Sequence, residues 1–328
     1  MPRVLRVDPR HPEPHLIAEA VDALARGKLV AFPTETVYGL GASGLHPDHV
    51  RRIFDAKQRP LGHPVILHVD GIAMARSLAR EWSALGMKLA EAFWPGPLTL
   101  VVPRALHVPD AVTGGLESVG LRMPAHPVAL ALVEMLGEPI AAPSANAHMH
   151  VSPTTAEHVV RSLGERVDLV LDAGPCAHGI ESTVVSLGDP PLVLRPGSIS
   201  VERLATLAPS IRLASATIAG DAPRASPGQA ARHYAPHARV VLAARGDPTP
   251  YRAGSAAIVA TEAARMGAKE SHPLFVLPDE PGGYARGIFA ALHAVDMAAA
   301  EEVVIEDVPR DEPAWTAVAD RLARAARR

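Results

Sequence analysis

The sequence predicts an α/β protein of two domains: a larger N-terminal one on a twisted open sheet and a smaller C-terminal one of alternating strands and helices. Three observations predict it. The chain has 328 residues, more than one hydrophobic core usually serves. Short apolar runs alternate with amphipathic stretches of helical period, the pattern of sheets covered by helices. Between about 208 and 239, small and chain-breaking residues dominate, as in a linker. The expected division is therefore 1–207, a linker at 208–239, and 240–328.

Residues 15–26 place Leu16, Ala20, Ala23 and Leu24 on one helical face, and Gly27 is the expected stop. A strand over 29–32 ends at Pro33, and a polar run follows at once: Thr34, Glu35, Thr36 and Tyr38. Polar groups crowded at the end of a buried strand are how open α/β sheets build ligand sites. Gly39 to Gly44 spells G-x-G-x-x-G, but no helix opens within it and Pro47 stands where one should be under way, so it is not a dinucleotide fingerprint. No P-loop motif occurs anywhere. A helix over 48–57, capped by Asp48, turns Val50, Ile53 and Phe54 inward and delivers Lys57 at its end. Arg59 follows, Pro60 and Pro64 stiffen the exit, and a strand over 65–67 carries His68 at its tip.

Two short helices are expected over 71–92, a rigid turn at 94–97 and a strand over 98–102. The loop 113–118 feeds a strand over 119–124 that contains Arg122. A helix over 127–136 and a short strand lead to Ser144 and Asn146. Ser152-Pro153-Thr154 caps the next helix, with Glu157 completing a capping box. A strand over 169–171 precedes a hairpin of 184–187 with 192–195. The second domain reads as strands over 240–243, 256–259, 274–277 and 303–305, with helices over 284–295 and 315–326.

Bulk properties exclude several classes. Net charge is −3 and the isoelectric point about 6.6, which gives no global reason to bind nucleic acid. Cys176 is the single cysteine, so no intrachain disulfide forms, as suits a reducing compartment. No apolar run approaches the roughly 20 residues of a membrane span, and the first residues lack the apolar region of a signal peptide. A cytoplasmic, soluble protein is expected. The chain carries 28 arginines and four lysines. Where arginine is the habitual cation, Lys57 stands out as a compact ammonium, although a helix end favours a cation without any ligand.

Arg122 sits in an otherwise apolar strand and needs an anion, either a protein carboxylate or a ligand carboxylate. Arg195, at a strand end, fits a phosphate or a surface ion pair. Ser152 fits a cap or a phosphate contact. His233 and His237 are four apart, but Pro236 breaks the helix that would align them, so no metal site is expected there.

Several stretches are similar to the Sua5/YrdC family, whose long members are threonylcarbamoyl-AMP synthases. They are Pro33-Thr34-Glu35-Thr36-Val37-Tyr38-Gly39-Leu40, Lys57-x-Arg59-Pro60, His68-Val69, the run from Phe93 to Thr99, Pro143-Ser144-Ala145-Asn146, Ser182-Thr183, Arg195-Pro196-Gly197 and His233-Tyr234-Ala235-Pro236. The resemblance implies a YrdC-like catalytic domain followed by a Rossmann-like C-terminal one. It implies a nucleotidyltransferase reaction in which L-threonine, bicarbonate or CO2, and ATP give threonylcarbamoyl-AMP and pyrophosphate. Mg2+ accompanies the ATP, and a separate transferase passes the product to a tRNA adenosine, with at most weak tRNA contact here. It further implies that Thr36, His68, Arg122, Ala142 (through its backbone) and Ser182 form the threonine site. Lys57, Arg59, Ser118, Ser144, Asn146, Ser152 and Arg195 would hold ATP, with Lys57 and Arg59 central to the chemistry and Tyr234 closing over the nucleotide from the linker. His63 stands where the family more often carries Asn. The other readings are an RNA-binding module using Lys57, Arg59, Arg122 and Arg195, and a carbamoyl-phosphate-using hydrogenase maturation activity, which the absence of that group's accessory segments disfavours.

Overall fold

The computed structural model describes residues 1–214 and 233–327. The first sheet is 11-stranded and mixed. Its strands are β1 (Arg3–Arg6), β2 (Val30–Phe32), β3 (Gly39–Ser43), β4 (Ile66–His68), β5 (Leu98–Pro103), β6 (Ser118–Arg122), β7 (Ile140–Ala141), β8 (Leu169–Asp172), β9 (Thr183–Ser186), β10 (Leu192–Arg195) and β11 (Arg212–Leu213). Their spatial order is β1-β8-β2-β3-β7-β4-β6-β5-β9-β10-β11. The covering helices are α1 (Pro14–Ala25), α2 (Pro47–Lys57), α3 (Ile72–Ser77), α4 (Ala84–Phe93), α5 (Asp110–Thr113), α6 (Pro127–Leu136), α7 (Ala156–Leu163) and α8 (Val201–Ala205).

This order explains where polar side chains meet. β4 and β6 run parallel, so His68 pairs in register with Arg122. β5 is antiparallel to β6 and parallel to β9, which sets Leu98 beside Thr183. β10 returns antiparallel to β9 and ends at Arg195. The polar run after β2, the tips of β4, β6 and β10, and the segment after β7 therefore share one end of the sheet.

Some elements and caps differ from the sequence expectations. Within the G-x-G-x-x-G run, Gly39–Ser43 form β3, antiparallel to β2 and β7, a strand that small residues without apolar side chains did not announce. Gly41 is required there, since a Cβ would come within 2.7 Å of the Phe32 ring. The N-cap of α2 is His46, and Asp48 lies in its first turn. The capping hydroxyl of α7 is Thr155, which accepts from the His158 amide, while Ser152 is buried elsewhere. β1 and β11, edge strands with few buried side chains, were not legible, and neither was the short α5.

The second sheet contains β12 (Arg239–Ala243), β13 (Ala256–Val259), β14 (Leu274–Val276) and β15 (Glu302–Glu306), with α9 (Glu262–Gly267), α10 (Pro281–Met297) and α11 (Thr316–Ala325). Its order is β12-β15-β13-β14 and every pairing is parallel. No helix among the described residues is long and apolar enough to cross a membrane.

The two sheets are joined by a shared core, in which Val37, Val151 and Ile180 pack with Tyr234, Tyr284, Phe289 and Trp315. An ion pair crosses the same seam. Arg321 of α11 is 1% exposed. Its Nε donates to Glu181 (3.0 Å) and its Nη1 to the Pro196 carbonyl (2.8 Å). Removing one partner of a buried pair leaves the other charge without compensation, at about 3–5 kcal/mol. Arg321→Ala is therefore expected to destabilise the protein by that amount in urea unfolding, whereas an unchanged midpoint would show that water compensates Glu181.

Candidate active site

At the shared strand ends lies a cavity of about 50 Å³, lined by Thr34, Thr36, Arg59, His68, Arg122, Ala142, Ser144, Glu181, Ser182, Arg195, His233 and Tyr234, among others. The Thr34 hydroxyl fixes one wall: it donates to the Val37 carbonyl (2.6 Å), accepts from the Thr36 and Val37 amides, and lies 2.8 Å from the Thr36 hydroxyl. Pro33 ends β2, and this local turn then holds Thr36 against the cavity.

Arg122 is 4% exposed. Its Nη2 lies 2.7 Å from Glu35 Oε1, and its Nε donates to the Gly96 carbonyl. Glu35 Oε2 accepts from the Ala125 amide. The sequence left Arg122's anion open; a protein carboxylate provides it, and the guanidinium still lines the cavity. The Nη2–Oε1 approach is not aligned as a hydrogen bond, which leaves both atoms unsatisfied. Arg195 donates through Nε and Nη2 to the Ser182 carbonyl and through Nη2 to the Ser182 hydroxyl. That hydroxyl also lies 2.8 Å from Thr99 Oγ1. Arg59 donates to the Pro64 carbonyl, and its Nε has no partner among the described residues. His68 Nδ1, His233 Nδ1 and the Tyr234 hydroxyl are likewise buried without partners among the described residues. Unmet polar groups around one cavity are what an anionic, hydrogen-bonding ligand would satisfy.

Burial shapes the charges. It lowers Arg59 to about 10, with Arg195 adding to the effect, and it lowers Arg195 as well. Burial and then the Arg122 charge lower His68 to about 3, so that imidazole is neutral. His233 is lowered by burial, then by Arg59, His148 and Lys57. Burial raises Tyr234.

Lys57, His63, Ser118, Asn146 and Ser152, also expected in the site, lie off the cavity. Lys57 is 2% exposed, and its Nζ donates to the Ser144 and Asn146 carbonyls. Burial and the Arg59 charge push it well below the usual lysine range. It thus ties the end of α2 to the 144–146 segment. Asn146 donates to the Ala147 and His150 carbonyls, leaving its Oδ1 buried and unpartnered. Ser152 donates to Glu181. His63 lies beside His148, with ring centroids 5.4 Å apart. Ser118 starts β6, four residues from Arg122 at about 3.3 Å per residue, so it stands near the opposite end of the strand. The Ala142 amide is used on the Ile66 carbonyl, so only its carbonyl is left to meet a ligand. His237 pairs with Asp296. Of the linker expected over 208–239, residues 215–232 lie outside the described residues.

Glu35, Glu181 and His233 were not given site roles from sequence. Glu35 stands in the polar run after β2, which was the available signal. Glu181 precedes Ser182 directly, but nothing local announces a partner 140 residues away. The RNA-binding reading required an exposed cationic face, and burial of Lys57, Arg122 and Arg195 removes it.

The profile of the Sua5, YciO and YrdC proteins, described as telomere recombination, matches residues 22–197. The chain belongs to the Sua5/YrdC family. A second profile, the threonylcarbamoyl-AMP synthase C-terminal domain, matches residues 199–327, so this is a long, two-domain member. The chain is 39% identical over 316 residues to the threonylcarbamoyl-AMP synthase of Pyrococcus abyssi, covering 93% of this chain and 92% of that one. It is 43% identical over 231 residues to the Bacillus subtilis enzyme of the same name, covering 69% and 66%. Its fold is similar to a crystal structure of P. abyssi Sua5 complexed with L-threonine, with TM-score 0.89 and 35% identity over 98% of this chain and 97% of that one. Escherichia coli YciO shares the fold over 60% of this Sua5/YrdC chain, with TM-score 0.54 and 26% identity.

His68 yields a pH prediction. Its folded pKa lies below the unfolded value of about 6.5, so below pH 6.5 the unfolded chain takes up a proton that the folded one refuses until about pH 3. Stability from this group therefore falls by about 1.4 kcal/mol per pH unit through that window. Urea unfolding at pH 6.5 and 5.0 should show a smaller acid loss for His68→Gln than for the parent; equal losses would place the acid sensitivity elsewhere.

Proposed function

We infer that the protein is an L-threonylcarbamoyladenylate synthase. L-Threonine, bicarbonate and ATP yield threonylcarbamoyl-AMP, pyrophosphate and water, for N6-threonylcarbamoyladenosine formation in tRNA. The observation that carries this is the buried cavity, where Arg122, Arg59 and Arg195 converge with neutral hydrogen-bonding groups at the strand ends, in a chain whose relatives bear that enzyme name over nearly full length.

The chemistry needs no protein nucleophile. Bicarbonate takes up a proton and loses water to give CO2; the threonine amine, as free base, adds to it and releases that proton, leaving a carbamate. A carbamate oxygen attacks the α-phosphorus, and pyrophosphate leaves. Catalysis is then positioning and charge stabilisation. Arg122 clamps the threonine carboxylate, with Glu35 orienting the guanidinium. Neutral His68 provides hydrogen bonding without drawing a second carboxylate, and Thr36, Ser182 and the Ala142 carbonyl complete that subsite. Arg59 and Arg195 face the phosphates with Ser144. Lys57 acts first as a positioning group that holds the 144–146 segment. Ser118, Asn146, Ser152 and His63 lie outside the cavity wall and reach ATP only through rearrangement. A cavity of about 50 Å³ holds a few water-sized groups, so ATP entry requires Tyr234 and His233 to move aside before Tyr234 closes over the nucleotide.

Mg2+ would arrive with the triphosphate. Glu181 at the cavity wall and Glu35 behind Arg122 are both engaged by arginine, so phosphate oxygens and water would supply most ligands to the ion. The division into a catalytic part, a linker lid at 208–239 and a C-terminal domain is part of this reading. So are cytoplasmic location and transfer of the product to a separate tRNA-modifying transferase.

Mass spectrometry of the products from ATP, Mg2+, bicarbonate and L-threonine, with each omitted in turn, tests the reaction. A threonine- and bicarbonate-dependent acyl-adenylate is expected; its absence from folded protein would overturn the reading. Charge-assisted hydrogen bonds contribute about 1.5–3 kcal/mol, so Arg122→Lys, which loses the bidentate fork, should weaken threonine binding by roughly 10- to 150-fold in calorimetry. Unchanged affinity would remove Arg122 from the threonine site.

A further inference from the structure

A second cavity, of about 310 Å³, opens at the seam between the two sheets. Ile180 and Ile199 of the catalytic domain face Ala285 of α10 and Ala317 and Val318 of α11 across it. Its size falls in the range of small-molecule sites. Beside the apolar side chains its lining carries His178, Ser198, Ser200, Thr316, Arg203 and Arg286. The Ser198 hydroxyl is buried without a partner among the described residues. Arg286 and Arg203 stand exposed at the rim. Arg286 uses its Nε on the Ala177 carbonyl, and Arg203 lies over the Phe93 ring. Neither is paired with a carboxylate among the described residues. The first amides of α10 are capped by Glu280, so the two guanidinium groups, not the helix terminus, supply the positive charge.

The two cavities share walls. In the segment 180–182, Ile180 lines the seam cavity while Glu181 and Ser182 line the active site. In the segment 195–198, Arg195 lines the active site while Pro196, Gly197 and Ser198 line the seam. Gly197 packs its backbone directly on the 181–183 segment: a Cβ there would lie 2.3 Å from the Thr183 nitrogen. Arg321 grips both segments, through Glu181 and the Pro196 carbonyl, and stands one helical turn beyond Ala317 on α11.

We propose that the seam cavity is an effector site for a small amphipathic carboxylate. Its apolar body would fill the space between Ile180, Ala285 and Val318, and its charge would meet Arg203 and Arg286. Occupancy would press on the two segments that hold Ser182 and Arg195, and so change substrate affinity. The coupling rests on the proposed function; the binding does not.

The probe is 4-(trifluoromethyl)benzoate, followed by fluorine NMR on the full-length protein. Saturable binding is expected, undisplaced by saturating L-threonine and ATP. Arg203→Ala with Arg286→Ala should weaken it at least fivefold, and Ala285→Trp should abolish it. Ala317→Phe provides a second way to fill the cavity should the tryptophan prevent folding. The probe should also shift the threonine dissociation constant at least twofold. Displacement by substrate, or undiminished binding to a folded cavity-filled variant, would overturn the site. Binding without any effect on threonine would overturn the coupling. A protein that binds the probe but never threonine would contradict the proposed reaction and leave the site standing.

Discussion

Three buried cations, Lys57, Arg122 and Arg195, and the half-buried Arg59 gather at one end of the sheet, where Glu35 pairs with Arg122 and Glu181 lines the cavity. Buried charge must be met by an opposite charge or by hydrogen bonds, and the local architecture follows from that constraint. Lys57 takes two carbonyls across the 144–146 segment, Arg195 takes Ser182, Arg59 takes the Pro64 carbonyl, and Arg122 takes Glu35 and Gly96. The Lys57 and Arg122 contacts tie together segments far apart in sequence, whereas Arg59 and Arg195 brace nearby turns. The remaining deficit, in atoms such as Arg59 Nε and His68 Nδ1, points inward, towards a ligand that carries negative charge.

Glu181 extends the same logic to the second domain. It accepts from Ser152 on the catalytic side and from Arg321 on α11, while Arg321 also lies over the Tyr234 ring at 5.1 Å. The C-terminal domain is thus attached through a carboxylate at the active-site wall. His158 and His293 stack across the same seam at 3.8 Å, and burial holds both imidazoles near pKa 4 and hence neutral. A neutral, stacked pair permits close contact that two imidazolium ions would oppose.

Much of this was legible in the sequence because its signals are local. The apolar runs at 29–32, 65–67 and 119–122 gave strands, and the polar run after Pro33 gave the site wall. Arg122 announced itself as a cation among apolar neighbours. What failed to show was either featureless or distant. β3 is built of small residues, and β1 and β11 are edges with little to bury. The partners Glu35–Arg122 and Glu181–Arg321 depend on sheet order, which no window of sequence contains. Lys57 stood out from the arginines, but its two carbonyl partners lie on another segment, so its distance from the cavity could not be read.

The central claim is that the buried cations exist to hold anionic substrates, and a structure with L-threonine and a non-hydrolysable ATP analogue tests it most directly. The account predicts the threonine carboxylate within hydrogen-bond distance of Arg122, the triphosphate against Arg59 and Arg195, and the Tyr234 ring displaced from its present packing. Ligands bound elsewhere, with Arg122 still held only by Glu35 and Gly96, would contradict it.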